Sequence, residues 1–174
     1  EMGTTTVGEL IELAGGVSGG RKVKAVIPGG SSVPVMPGAA ALDAPYSYEG
    51  LQAAGSLLGS GGMIVFAEGT CMVRSLQILL DFYHHESCGQ CTPCREGTGW
   101  IAKIVGKIER GEGTESDLAA LMRITGNMSG TTICALADAA VMPTQSFLKH
   151  FREEFVAHVR EKRCPVGGAL TAAA

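Results

Sequence analysis

The residues best suited to chemistry in this chain are its six cysteines, Cys71, Cys88, Cys91, Cys94, Cys134 and Cys164, three of which fall within seven residues. Cys88-Gly89-Gln90-Cys91-Thr92-Pro93-Cys94 is a C-x2-C-x2-C loop, and Cys134 lies forty positions beyond Cys94. Thiols two residues apart on a short loop converge on a shared centre, which suits a metal better than mutual pairing. A cubane 4Fe-4S cluster takes one thiolate per iron, so a tight loop can wrap three corners while a distant element supplies the fourth. Gly89 permits close backbone approach to sulfide. Pro93 stiffens the loop before its third thiol. The helix expected after Cys94 turns free N–H groups and its positive end toward an anionic cluster, and Arg95 adds a full charge, contacts that raise the reduction potential. Zinc is the first alternative, although four-thiolate zinc sites usually come from two separated C-x2-C pairs. A thioredoxin-like disulfide is the second, and it would use only Cys88 with Cys91 or Cys91 with Cys94.

The other reactive side chains have plainer readings. Cys71 opens a helix in an apolar stretch and reads as a buried thiol. Cys164 precedes Pro165 in a Gly- and Ala-rich tail and reads as a free surface thiol. His84 and His85 adjoin the loop; histidine can ligate a cluster, but four cysteines complete the set, so both read as helix-end residues facing carbonyls. Trp100 sits on an apolar stripe and reads as core. Lys103, Lys107, Arg110, Arg152, Glu153 and Glu154 read as solvated helix faces.

The elements that must position the loop divide near residue 70. Before it, Thr6-Val7-Gly8-Glu9 reads as a capping box, and Val7, Leu10, Ile11 and Ala14 recur at helical spacing until Gly15 and Gly16 end the helix. Residues 22–27 alternate, with Val23, Ala25 and Ile27 on one face, and stop at the turn Pro28-Gly29-Gly30. Met63-Ile64-Val65-Phe66 is a second strand. After residue 70 the period becomes helical: Val73, Leu76, Leu80 and Tyr83; then Trp100, Ile101, Ile104, Val105 and Ile108; then Leu118, Leu121, Met122 and Thr125, with Ser116 or Thr114 as N-cap. A fourth helix has Pro143 in its first turn and carries Phe147, Leu148, Phe151, Phe155 and Val159. The expected fold is α+β, a small β unit over 1–70 followed by a four-helix bundle over 71–174.

With 174 residues, 45% of them hydrophobic, the chain can bury a real core. Its formal charge of -3 gives no footing for nucleic acid. No apolar run is long enough to insert in a membrane, and Glu1-Met2-Gly3-Thr4 lacks the pattern of a signal peptide, so the chain reads as soluble and intracellular.

Glu86-Ser87-Cys88-Gly89-Gln90-Cys91-Thr92-Pro93-Cys94-Arg95-Glu96-Gly97-Thr98 resembles the cluster signature of the NADH-oxidising flavoprotein subunit of respiratory complex I. Thr132-Ile133-Cys134-Ala135-Leu136-Ala137-Asp138-Ala139-Ala140 is similar to that family's fourth-ligand segment, and Pro28-Gly29-Gly30-Ser31-Ser32-Val33-Pro34 to its SLBB (β-grasp-like) domain. The resemblance spans nearly the whole chain and is to the C-terminal portion of the subunit. It implies that Cys88, Cys91, Cys94 and Cys134 ligate a 4Fe-4S cluster that takes single electrons from reduced FMN, with Ala135 and Leu136 beside the flavin. FMN and NAD(H) are implied on an N-terminal domain of the same subunit, because Gly59-Ser60-Gly61-Gly62 and Gly15-Gly16 lack the G-x-G-x-x-G form and read as turns. The implied partners are that domain and other iron-sulfur subunits, in the peripheral arm of a membrane-associated complex, cytoplasmic or in an organelle matrix. A soluble NAD-linked hydrogenase or formate dehydrogenase diaphorase subunit shares this architecture, and a zinc-stabilised interaction domain is a third reading.

Overall fold

The computed structural model describes residues 3–167; Glu1 and Met2 of the leader reading, and the Ala-rich end beyond Gly167, lie outside the described residues. The first helix, α1 (Val7–Leu13), has the expected capping box, with Thr6 Oγ1 accepting from Glu9 N–H and the Glu9 carboxylate from Thr6 N–H. Gly15 and Gly16, both at positive φ, end it. Three antiparallel strands, β1 (Val23–Ile27), β2 (Met36–Pro37) and β3 (Ile64–Ala67), form a sheet in the order β2-β1-β3. Short helices α2 (Gly38–Ala41) and α3 (Tyr48–Ala53) complete this part. The Gly59–Gly62 segment is a turn, as expected.

The central strand departs from a one-faced pattern. Ala25 and Ile27 pack into the large core with the helices, while Val26 packs with Val7, Ile11 and Leu51 in a second, smaller core. Both faces of β1 are therefore covered, and the alternation in the sequence reflects only which core each residue joins.

Among the described residues, five helices, not four, follow β3: α4 (Met72–His85), α5 (Thr92–Glu109), α6 (Glu115–Met128), α7 (Leu136–His150) and α8 (Arg152–Glu161). The expected fourth helix is two. Phe151, at φ -123° and ψ 24°, breaks the backbone between them. The break was hidden because Phe147, Phe151, Phe155 and Val159 keep four-residue spacing across it. Pro143 lies inside α7 rather than in a first turn. Its ring removes the N–H that would reach Ala139 O, and Thr144 Oγ1 donates to the neighbouring Ala140 O at 2.7 Å. The helix starts seven residues earlier because Leu136–Ala140 is rich in strong helix formers. Thr114, not Ser116, is the N-cap of α6. Leu118, Leu121 and Thr125 are buried, but Met122 is exposed.

Leu76 and Leu80 of α4 and Ile101, Val105 and Ile108 of α5 are fully buried and fix these two helices against each other. Trp100 is 52% exposed, a correction to its reading as core: it sits one residue outside the buried stripe. Three contacts tie the sheet region to the helices. Ser31 Oγ meets Tyr83 Oη at 2.7 Å, with burial pushing the Tyr83 phenol up; Ser146 Oγ accepts Val35 N–H at 2.9 Å. Lys24 Nζ pairs with Glu154 at 2.7 Å, and the other carboxylate oxygen of Glu154 accepts Met72 N–H at 3.1 Å. Glu154 is thus a structural tie, not a solvated face.

Ile101→Ala should lower stability by about 3 kcal/mol, or roughly 6–12 °C in the melting temperature followed by circular dichroism. Trp100→Ala should stay within about 0.5 kcal/mol.

Candidate metal centre

The C-x2-C-x2-C loop is the connection between α4 and α5. Glu86 caps α4, and Cys91 is the N-cap of α5, so that helix begins before Cys94 rather than after it. Cys94 then lies on the first turn and is buried, Cys91 is half-buried and Cys88 is exposed. Pro93 sits in the first turn, where its missing N–H has no intrahelical role. Gly89 takes φ +80°, a conformation that strains other residues and lets the chain double back between Cys88 and Cys91. Arg95 holds this bend by donating from Nη1 to Gly89 O at 2.8 Å, and its Nε pairs with Glu96 at 2.9 Å. Its charge is therefore partly engaged in shaping the loop.

Behind the loop, Thr98 Oγ1 donates to Cys94 O at 2.8 Å, and His84 Nδ1 lies 3.4 Å from the same hydroxyl. His84 also packs on Gly99, where a Cβ would come within 2.8 Å of the ring. His85 lies against the Glu86 carboxylate at 3.0 Å. The contacts of both histidines are with side chains, not with the helix-end carbonyls expected of them. Ser87 Oγ lies 3.3 Å from Cys94 Sγ.

Residues 129–135, between α6 and α7, bring the distant cysteine. Asp138, in the first turn of α7, accepts from Gly130 N–H at 2.9 Å and from Ser129 Oγ at 3.3 Å. Thr132 Oγ1 donates to Cys134 O at 2.8 Å, and Ile133 N–H donates to Cys91 Sγ at 3.4 Å. The last contact joins positions 42 apart and sets the Cys134 segment against the loop. Cys134 and Ala135 are exposed, Leu136 is half-exposed, and Ile133 is 86% exposed.

The donor set fits an iron-sulfur cubane. The N–H of Ile133 donates to the Cys91 sulfur, the kind of contact that an anionic cluster's thiolates take. Among the described residues, the potential ligand atoms that gather in a trio within 4.8 Å are those of Cys71, His158 and Cys164. No three of the sulfurs of Cys88, Cys91, Cys94 and Cys134 lie all within 4.8 Å of one another, so at least one pair in every such trio is wider than the roughly 3.8 Å between thiolates that share one zinc at about 2.3 Å. Sequence reasoning missed Asp138 and Thr98. An acidic residue in a helix's first turn, four positions after Cys134, was the available signal for Asp138. Cys164 is also corrected: it is half-buried against the core rather than a surface thiol.

Comparison with known proteins bears on this site. Residues 74–158 match the family model described as the NADH-ubiquinone oxidoreductase-F iron-sulfur binding region. The second F-type NADH-quinone oxidoreductase subunit of Rhizobium meliloti (strain 1021) is 52% identical over 158 residues, which cover 90% of this chain and 37% of that protein. The F-type NADH-quinone oxidoreductase subunit of Mycobacterium tuberculosis (strain ATCC 25618 / H37Rv) is 47% identical over 160 residues, 92% of this chain and 36% of its own length. The chain thus spans a little over a third of the curated relatives it matches. Among solved structures, an NAD+-reducing [NiFe]-hydrogenase in the air-oxidized state superposes with a TM-score of 0.79 at 29% identity, over 89% of this chain and 26% of that one. The same enzyme type in the H2-reduced state gives 0.76 at 30% identity, over 92% and 26%. Residues 74–158, which contain both the C-x2-C-x2-C loop and Cys134, thus belong to the family of NADH-ubiquinone oxidoreductase-F iron-sulfur binding regions.

Proposed function

We propose that Cys88, Cys91, Cys94 and Cys134 hold one 4Fe-4S cluster, and that the chain is the electron-transfer portion of an NADH:quinone oxidoreductase flavoprotein subunit. The observation that carries this reading is the Ile133 N–H on Cys91 Sγ, which joins the fourth-ligand segment to the three-cysteine loop. When bound, the cluster supplies a one-electron carrier. The protein supplies rigidity and charge. Arg95 fixes the bend at Gly89, Thr98 and His84 brace the Cys94 turn from behind, and Asp138 holds the loop that presents Cys134.

In this reading residues 1–70 form the SLBB-type unit and residues 71–174 the cluster-binding helical unit. Ala135 and Leu136, at the start of α7, border the FMN held with NAD(H) by a separate N-terminal domain of the same subunit. Their exposure leaves room for such a neighbour. Other iron-sulfur subunits take the electrons onward, and the chain lies in the peripheral arm of a membrane-associated complex. No helix among the described residues is long and apolar enough to cross a membrane. The resemblance to the hydrogenase supports a second reading, the same module in a soluble NAD-linked diaphorase. Identity of 52% and 47% to the F-type subunits, against 29% and 30% to the hydrogenase, favours the first.

The anaerobically isolated chain should carry about four irons and four sulfides and give, after dithionite reduction, the low-temperature EPR signal of one cubane. Cys134→Ala should lose that signal and at least one iron per chain; full iron with an unchanged signal would remove Cys134 from the ligand set. Asp138→Ala should keep the four sulfurs but shorten the cluster's lifetime in air about 10-fold, read as bleaching of the visible band.

A further inference from the structure

The two cysteines outside the proposed cluster set, Cys71 and Cys164, are not isolated. At the far end of α4, about 20 Å away along its 14 residues, ligand atoms of Cys71, His158 and Cys164 all lie within 4.8 Å of one another. Cys71 Sγ is 3.4 Å from His158 Nε2. We propose that these three residues form a second metal site, which takes one zinc ion with a solvent molecule as fourth ligand.

His158 is the strongest argument. It is 0% exposed, and its Nδ1 lies 2.7 Å from Glu154 O, a group that can only accept. Nδ1 therefore carries the proton, and Nε2 turns its lone pair toward Cys71. A backbone carbonyl that fixes the tautomer and the ring plane is the usual outer support of a metal-binding imidazole. Glu154 is itself held by Lys24 and Met72 N–H, so the ring stands on a rigid base.

The cysteines are equally placed. Cys71 caps α4, its sulfur accepting Arg74 N–H at 3.4 Å, a contact that a thiolate ligand retains. Cys164 is returned to the core after α8 by Lys162, which takes φ 55° and donates from Nζ to Gly113 O at 2.9 Å. The backbone of Lys162 packs so closely on Gly111 that a Cβ there would fall 2.2 Å from it. Two thiolates and a neutral imidazole cancel the charge of a divalent ion, which lets the site sit against a hydrophobic core. Soft sulfur donors with one imidazole select zinc over magnesium or calcium. Cys164 is only half-buried, which leaves a solvent-facing position for the fourth ligand. Bound zinc would staple three points: the entry to α4, helix α8 and the segment beyond it.

The test is metal analysis of the anaerobically purified chain. One zinc should accompany the iron, and zinc-edge X-ray absorption should show two sulfurs at about 2.3 Å and one nitrogen at about 2.0 Å. Cys164→Ser, at a half-exposed position, should keep its iron and circular dichroism but bind zinc at least 10-fold more weakly in competition with a chromophoric chelator. His158→Gln should do the same if it folds. The proposal is overturned by zinc in a four-sulfur shell, by an unchanged affinity in Cys164→Ser, by a zinc-free wild-type chain, or by peptide mapping that finds Cys71 and Cys164 joined as a disulfide.

Discussion

Everything at the candidate centre depends on the packing of α4 against α5. Their facing side chains, Leu76 and Leu80 on one and Ile101, Val105 and Ile108 on the other, are removed from solvent and leave the two helices no freedom to slide. The short link between them must then turn sharply, and it can do so because Gly89 accepts a positive φ and Arg95 grips its carbonyl. Three thiols are presented at a fixed spread by a connection that would otherwise be a mobile loop. Rigid elements hold metal ligands more accurately than loops do.

The fourth thiol comes from a different kind of element. Residues 129–135 expose most of their side chains, so hydrophobic burial cannot fix them. Polar contacts take its place: Asp138 from the following helix, Thr132 folding back on the Cys134 carbonyl, and the Ile133 N–H on Cys91. The same exposure leaves the face beside Cys134, Ala135 and Leu136 open, as the proposed delivery of electrons to this centre from a neighbouring domain requires. The sheet region acts at a distance, through Lys24, Ser31 and Val35, to hold α8, α4 and α7 in place.

Much of this was legible in the residues. The capping box at Thr6, the strand before Pro28-Gly29-Gly30 and the buried stripes of α4 and α5 follow from local spacing and cap chemistry, which act over a few residues. The cysteine loop was legible because three ligands lie in seven residues. What escaped were features set by tertiary contact. The break at Phe151 leaves the aromatic spacing intact, so periodicity does not register it. Trp100 lies beside an apolar stripe, one residue outside the face that the fold covers, and spacing alone does not mark that edge. Glu154 looks solvated until Lys24 and the start of α4 are folded against it. Cys71, His158 and Cys164 lie too far apart in the chain for any spacing rule to group them.

The central claim is that four sulfurs, three from one turn and one from the α6–α7 connection, enclose a single four-iron core. Native mass spectrometry of the anaerobic chain weighs that core directly. The account predicts one dominant species heavier than the polypeptide by four irons and four sulfides, and its disappearance when Cys134 is replaced. A species carrying two irons and two sulfides, or a lone zinc bound by the cysteines of the loop, would contradict it.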